Sequence, residues 1–246
     1  MPRRRRKKKT VGPPDFIGVG TQRSGTTWWF GLLLEHPRIR GPKGTRKELH
    51  FFEPYGAREL TDADVDAYHA LFPRRRRQIV GEWTPRYIGD AWTPQLLRRA
   101  APDAKLLVML RDPIERFRSG IVHRQRRGPQ RMAITVTDAM QRGRYASQLR
   151  ELYGTFDREK VLVLQYEQCR ADPAGQYART LEFLGAKPFV PEELTRTRGN
   201  PVGGAKEPLT GDLEAALHAV LDDEVRALAE LHPELDVSLW ENFRVG

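Results

Sequence analysis

Asp15-Phe16-Ile17-Gly18-Val19-Gly20-Thr21-Gln22-Arg23-Ser24-Gly25-Thr26-Thr27 is the stretch on which the reading of this 246-residue chain turns. Phe16 to Val19 is an apolar run with the length and composition of a buried strand. Gly18, Gly20 and Gly25 then bracket a polar loop. From Thr26 through Trp28, Trp29 and Phe30 to His36 the residues read as a helix, closed by Pro37. A strand that enters a helix through such a loop directs several backbone N–H groups and the positive end of the helix dipole at one point, the arrangement that holds a phosphate. The rival reading is a structural turn with a few hydroxyls. The loop's position, after the first hydrophobic strand and before a long helix, favours the phosphate.

The spacing Gly20-x4-Gly25 imitates the nucleotide-binding pattern G-x-x-x-x-G-K-[ST], but Thr26 stands where that pattern requires lysine. The cation sits inside the loop, at Arg23. A magnesium-ATP kinase is weakened by this difference. A nucleotide enzyme that sets Arg23 against a bridging phosphate suits it better.

Composition narrows the partners. Forty-two Lys and Arg against 32 Asp and Glu leave a formal charge of +10, which favours anionic partners. Nucleic acid is one class, and an anionic nucleotide or acidic substrate another. No zinc-ligand spacing, helix-turn-helix signature or aromatic RNA-binding motif supports the first. The single cysteine, Cys169, excludes an internal disulfide framework and a cysteine-based metal site, and its setting at a strand end reads as structural. No metal site is expected. No run approaches the roughly 18 apolar residues of a membrane span. Arg3 to Lys9 is a basic arm without the apolar segment of a secretion signal. The expectation is a disordered arm over residues 1–14, one domain over 15–246, and a cytoplasmic protein.

Further along, Glu48-Leu49-His50-Phe51-Phe52-Glu53 alternates so that Glu48 and His50 share one face of a strand. Two readings stand: an edge strand with a solvated face, or a general-base carboxylate beside the phosphate loop with an imidazole nearby. Thr61 caps a helix to Phe72, and Arg74 to Arg77 reads as exposed surface. Gln78 to Glu82 is a short strand that ends in the loop Trp83-Thr84-Pro85-Arg86-Tyr87, and Trp92 to Ala100 is a helix with Thr93 as N-cap. Leu106 to Leu110 is apolar throughout, as a central parallel strand should be. It ends at Arg111-Asp112-Pro113, and a helix follows from Ile114 to Val122 with Ser119 on it. A guanidinium and a hydroxyl suit a phosphate monoester. In the rival reading Arg111 pairs with Asp112 or Glu115, and Ser119 faces water. Gly128 to Thr137 reads as a loop, Asp138 to Leu152 as one helix, Lys160 to Glu167 as a buried strand, Asp172 to Leu184 as a capped helix, and Leu213 to Leu231 as a terminal packing helix. Pro188 to Pro208 is an aperiodic basic loop, read either as a cover for a bound anion or as a linker. Helices alternating with apolar strands give an α/β fold: a single three-layer domain with a central parallel sheet and a P-loop-like strand–loop–helix.

Four stretches now carry a resemblance: Gly18 to Trp28, Lys47 to Glu53, Gly81 to Tyr87 and Leu106 to Gly120. In order and spacing the chain resembles the sulfotransferases that use 3'-phosphoadenosine 5'-phosphosulfate, most of all the heparan sulfate branch and its bacterial relatives. The resemblance implies transfer of a sulfuryl group from that nucleotide to an acceptor hydroxyl or amine, with 3',5'-adenosine bisphosphate as product. It implies that Arg23 steadies the departing phosphate, and that Ser24, Gly25, Thr26, Thr27 and Trp28 hold the 5'-phosphosulfate. Arg111 and Ser119 match the 3'-phosphate site. Glu48 matches the acceptor-activating base, with His50 beside it, and Arg198 and Lys206 fall in the late loop that closes over the nucleotide. Two positions depart from the pattern: Arg23 replaces a lysine, and Trp83 replaces another on the substrate side, where it would add a flat apolar surface. The implied partners are the nucleotide cosubstrate and a hydroxyl-bearing small molecule or glycan, with neither nucleic acid nor a membrane span. The rivals are a magnesium-dependent P-loop kinase and a basic nucleic-acid-binding module.

Overall fold

Phe16–Gly20 forms β1, the middle strand of a five-stranded sheet, and every residue in it is buried. The computed structural model describes residues 9–44, 47–125, 132–194 and 209–243. Most of the basic arm lies outside these, as do Arg198 and Lys206. The other strands are β2 (Ile39–Arg40), β3 (Ile79–Trp83), β4 (Lys105–Leu110) and β5 (Val161–Gln165). They lie in the order β2-β3-β1-β4-β5, with every neighbouring pair parallel.

The described helices are α1 (Thr26–Glu35), α2 (Asp62–His69), α3 (Thr93–Ala100), α4 (Pro113–Gln125), α5 (Met132–Gln141), α6 (Tyr145–Tyr153), α7 (Tyr166–Ala171), α8 (Pro173–Leu184) and α9 (Gly211–Leu231). Successive residues of a strand face opposite sides, and the apolar strands use both sides. Ile17, Val19, Leu106, Val108 and Leu110 join one core with Leu97 of α3, Leu149 of α6 and Leu228 of α9. Phe16, Leu107, Met109 and Leu164 join the other with Trp29 and Leu33 of α1 and Leu181 of α8. The result is the expected three-layer α/β architecture around a parallel sheet.

Caps read from sequence are present. Thr61 and Asp64 form a reciprocal capping box at the start of α2, and Asp172 accepts from the Gly175 N–H at the start of α8. Gly185 closes α8 with φ of 71°, a left-handed conformation that glycine adopts at little cost.

Several boundaries differ from the sequence reading. Glu48 to Glu53 is a loop and a short 3-10 turn, not a strand, because Glu48 and His50 adopt φ of 58° and 52°. Asp138 to Leu152 is not one helix: the chain turns at Gly143 between α5 and α6, where a Cβ would meet Leu221 at 2.9 Å and the Met140 carbonyl at 3.2 Å. Tyr166 and Glu167 begin α7 instead of extending β5, so Cys169 is a buried helix residue. Trp92 is the N-cap of α3, with Thr93 as its first residue. Arg74 is no free surface charge; it pairs with Asp15 at 2.6 Å. Ile39–Arg40 adds the edge strand β2.

Candidate functional site

The phosphate loop opens at the end of β1 and returns at Gly25, the N-cap of α1. Gly25 has φ of 86°, and a Cβ there would meet the Tyr166 ring at 2.6 Å, so both conformation and space require glycine. Thr21 anchors the loop to β4: its N–H and its hydroxyl each reach the Met109 carbonyl at 2.9 Å. The Thr21 and Ser24 hydroxyls lie 2.6 Å apart, both buried. Among the described residues no side chain caps α1, so its first N–H groups remain directed out of the helix end.

Arg23 also has a positive φ, 70°. Its Nε donates to Ser119 Oγ at 3.2 Å, and Arg111 Nη1 donates to the Arg23 carbonyl at 3.3 Å. The three residues that sequence assigned to two phosphate positions therefore converge. Arg111 also pairs with Glu115 at 3.5 Å and lies over the Tyr166 ring, 5.0 Å from its centre. The pairing with Glu115 thus holds together with the convergence, whereas Ser119 is buried and does not face water. Burial lowers the Arg23 pKa, the Arg111 charge lowers it further, and Glu48 opposes both.

Lys47 is the residue missed from sequence. Its Nζ donates to Thr26 Oγ1 at 2.9 Å, Thr27 Oγ1 at 2.8 Å and Glu48 Oε1 at 3.0 Å. It thereby joins the helix start to the carboxylate that sequence assigned as base. Alternation along a strand would have sent Lys47 and Glu48 to opposite faces. The positive φ of Glu48 turns them together, and no periodicity announces that. Burial pulls the Lys47 pKa down, with Glu48 opposing and Arg23 adding to it. On the far side of Glu48 lies His50, Nε2 to Oε2 at 3.4 Å, and His50 Nδ1 bonds Glu53. Glu53 is 3.7 Å from Arg86, which pairs with Asp90 at 3.0 Å. Arg86 and Asp90 line a cavity of about 60 Å³ together with Thr21 and Gln22 of the loop and Arg142 of the turn after α5.

Trp28 lies half-buried in the first turn of α1, edge-on to Tyr166, and its Nε1 is buried with no hydrogen-bond partner among the described residues. Trp83 does not present a surface to any acceptor. It is fully buried in β3, its Nε1 donates to the Gly20 carbonyl at 3.0 Å, and its ring fills the space above Gly18. The substitution that sequence read as a change of substrate pocket is a piece of core that supports the loop from beneath.

The Sulfotransferase domain family matches residues 13–200, most of the chain. The chain belongs to this family. It is 26% identical over 252 aligned positions to human heparan sulfate glucosamine 3-O-sulfotransferase 3B1, which covers 93% of this chain and 63% of the relative. It thus spans somewhat less than two thirds of that relative's length. The crystal structure of a sulfotransferase from Alicyclobacillus acidocaldarius superposes with a TM-score of 0.75 at 28% identity, covering 94% of this chain and 99% of that one. A mouse sulfotransferase solved in complex with PAP shares the fold, with a TM-score of 0.52 at 13% identity over 89% of each chain.

Proposed function

We propose that this protein transfers a sulfuryl group from 3'-phosphoadenosine 5'-phosphosulfate to an acceptor hydroxyl, or an amine. The observation that carries the proposal is the bridge formed by Lys47: one ammonium holds the hydroxyls at the start of α1 and the carboxylate of Glu48 in a single cluster. A phosphate site and a candidate base are therefore adjacent, as in-line transfer requires. The residues fit the cosubstrate in two further respects. The loop has a glycine that no side chain can replace, and Trp28 keeps a buried donor without a partner among the described residues.

The cosubstrate supplies an activated sulfur–oxygen bond to a good leaving group. Glu48 accepts the acceptor's proton as the new oxygen–sulfur bond forms, and His50 orients that carboxylate from its other oxygen. Arg23, Lys47 and the N–H groups of residues 23–27 stabilise the charge that collects on the departing phosphate as the old sulfur–oxygen bond breaks. These donors stand fixed before reaction, so little reorganisation is needed. Arg111 and Ser119 bind the 3'-phosphate, and Arg111, stacked on Tyr166, offers its fork to the phosphate oxygens. The family match gives no support to a kinase. The acceptor is a hydroxyl-bearing small molecule or glycan, entering beside Arg86 and Gln22.

Titration calorimetry with 3',5'-adenosine bisphosphate in metal-free buffer, run beside ATP with Mg²⁺, tests this directly. Tight binding of the bisphosphate is expected. Binding of Mg-ATP with none of the bisphosphate would end the sulfotransferase reading.

A further inference from the structure

Glu82 is the fourth residue of β3 and is fully buried. Tyr68 Oη donates to its Oε1 at 2.7 Å, and Thr84 Oγ1 donates to its Oε2 at 2.6 Å. The backbone N–H of Leu49 also bonds this carboxyl, and Tyr87 Oη stands 3.5 Å from Oε1. The Tyr87 hydroxyl in turn accepts the Phe51 N–H at 3.0 Å, and the Trp83 carbonyl accepts the Glu48 N–H at 3.2 Å. The end of β3 and the turn after it thus hold the N–H groups of residues 48, 49 and 51.

These attachments coincide with the place where the backbone is strained. Glu48 and His50 both carry positive φ, a conformation that non-glycine residues keep only when their surroundings impose it. A carboxyl enclosed in a core is also a poor choice for stability, since an apolar side chain of similar size avoids the desolvation. The mechanism above gives Glu82 no contact with either substrate.

We propose that Glu82 is a positioning residue: with the Tyr87 hydroxyl it clamps the backbone of residues 48–51 in the form that turns Glu48 toward Lys47 and the start of α1. The catalytic part of this proposal rests on Glu48 being the base, and the structural part does not.

Glu82→Gln preserves shape but places an NH₂ group among donors, and Tyr87→Phe removes only the hydroxyl. Hydrogen–deuterium exchange of peptides covering residues 47–53 is expected to speed up at least about tenfold in Glu82→Gln, with peptides covering 16–27 unchanged. Affinity for 3',5'-adenosine bisphosphate should stay within about twofold. Release of bisphosphate from 3'-phosphoadenosine 5'-phosphosulfate, with water as acceptor, should fall about a hundredfold, a loss in turnover and not in nucleotide KM. Tyr87→Phe should show the same pattern more weakly, and it decides the matter if Glu82→Gln does not fold. Unchanged exchange over 47–53 in both variants overturns the clamp, as does loss of bisphosphate binding in step with exchange everywhere. Faster exchange over 47–53 in a protein whose wild type ignores the nucleotide would instead sustain the clamp and overturn the sulfotransferase reading.

Discussion

Arg23 Nε donates to Ser119 Oγ across 3.2 Å, which ties the loop after β1 to the helix after β4. The two residues are 96 positions apart in sequence, so this bond exists only because β1 and β4 are neighbours in the sheet. Arg111 joins them by donating to the Arg23 carbonyl. A ligand with phosphates on the 3' and 5' positions of one ribose would find its two anchoring groups already linked.

Arg111→Ala should weaken binding of 3',5'-adenosine bisphosphate by roughly 30- to 160-fold, the range for losing charge-assisted hydrogen bonds of about 2–3 kcal/mol. Calorimetry measures it. An unchanged affinity would remove Arg111 from the site.

Glu48→Ala should lower turnover by about 10²- to 10⁴-fold, the usual contribution of a positioned base, with bisphosphate affinity nearly unaffected. Equal losses of affinity and rate would show that Glu48 holds the loop and does not accept a proton.

Lys47→Ala should lower turnover by about 10²- to 10³-fold, as the loss of one donor to a developing oxyanion does. Thr26, Thr27 and Glu48, to which its ammonium donates, remain in place to keep the fold. Steady-state rates with 3'-phosphoadenosine 5'-phosphosulfate test it, and wild-type turnover would exclude Lys47 from the reaction.

Trp83→Lys should destabilise the chain by more than about 3 kcal/mol, because it empties a large core site and buries an unpaired charge. Urea denaturation measures the loss. A variant as stable as wild type with a new acceptor preference would show that residue 83 lines the substrate pocket after all.

Burial pushes the Glu82 carboxyl up to about 7 from an ordinary 4.5. An acid whose folded pKa is raised holds its proton more tightly in the native state than in the unfolded one. Its contribution to stability is therefore complete below about 4.5 and is lost as pH rises through about 7. Urea midpoints should fall between about pH 5 and pH 8 more steeply for wild type than for Glu82→Gln, which has no proton to lose. Parallel slopes would mean that Glu82 does not titrate in this window.

Local chemistry announced most of the scaffold. The runs Phe16–Val19 and Leu106–Leu110 are apolar on both faces, as central parallel strands must be, and Thr61, Asp172 and Gly185 mark helix ends through contacts within a few residues. The phosphate loop was equally legible, because glycine spacing and a following helix are properties of consecutive residues. The sequence also named Glu48, Arg23 and the pair Arg111 and Ser119, though without the contacts that join them. What only the tertiary structure decided was their assembly. Lys47 faces the same way as Glu48 because Glu48 takes a positive φ, in a segment whose N–H groups bond Glu82, Trp83 and Tyr87, far along the chain, and not its neighbours in sequence. The resemblance puts Trp83 on the substrate side, where the family carries a lysine, and the sequence places it in the loop after the strand and not in the strand itself. In the sheet it pairs with Gly18, and the missing side chain there leaves room for its ring in the core. Periodicity and caps are written in neighbouring residues, whereas the direction of a side chain across a parallel sheet depends on register and packing set by strands far apart in the chain.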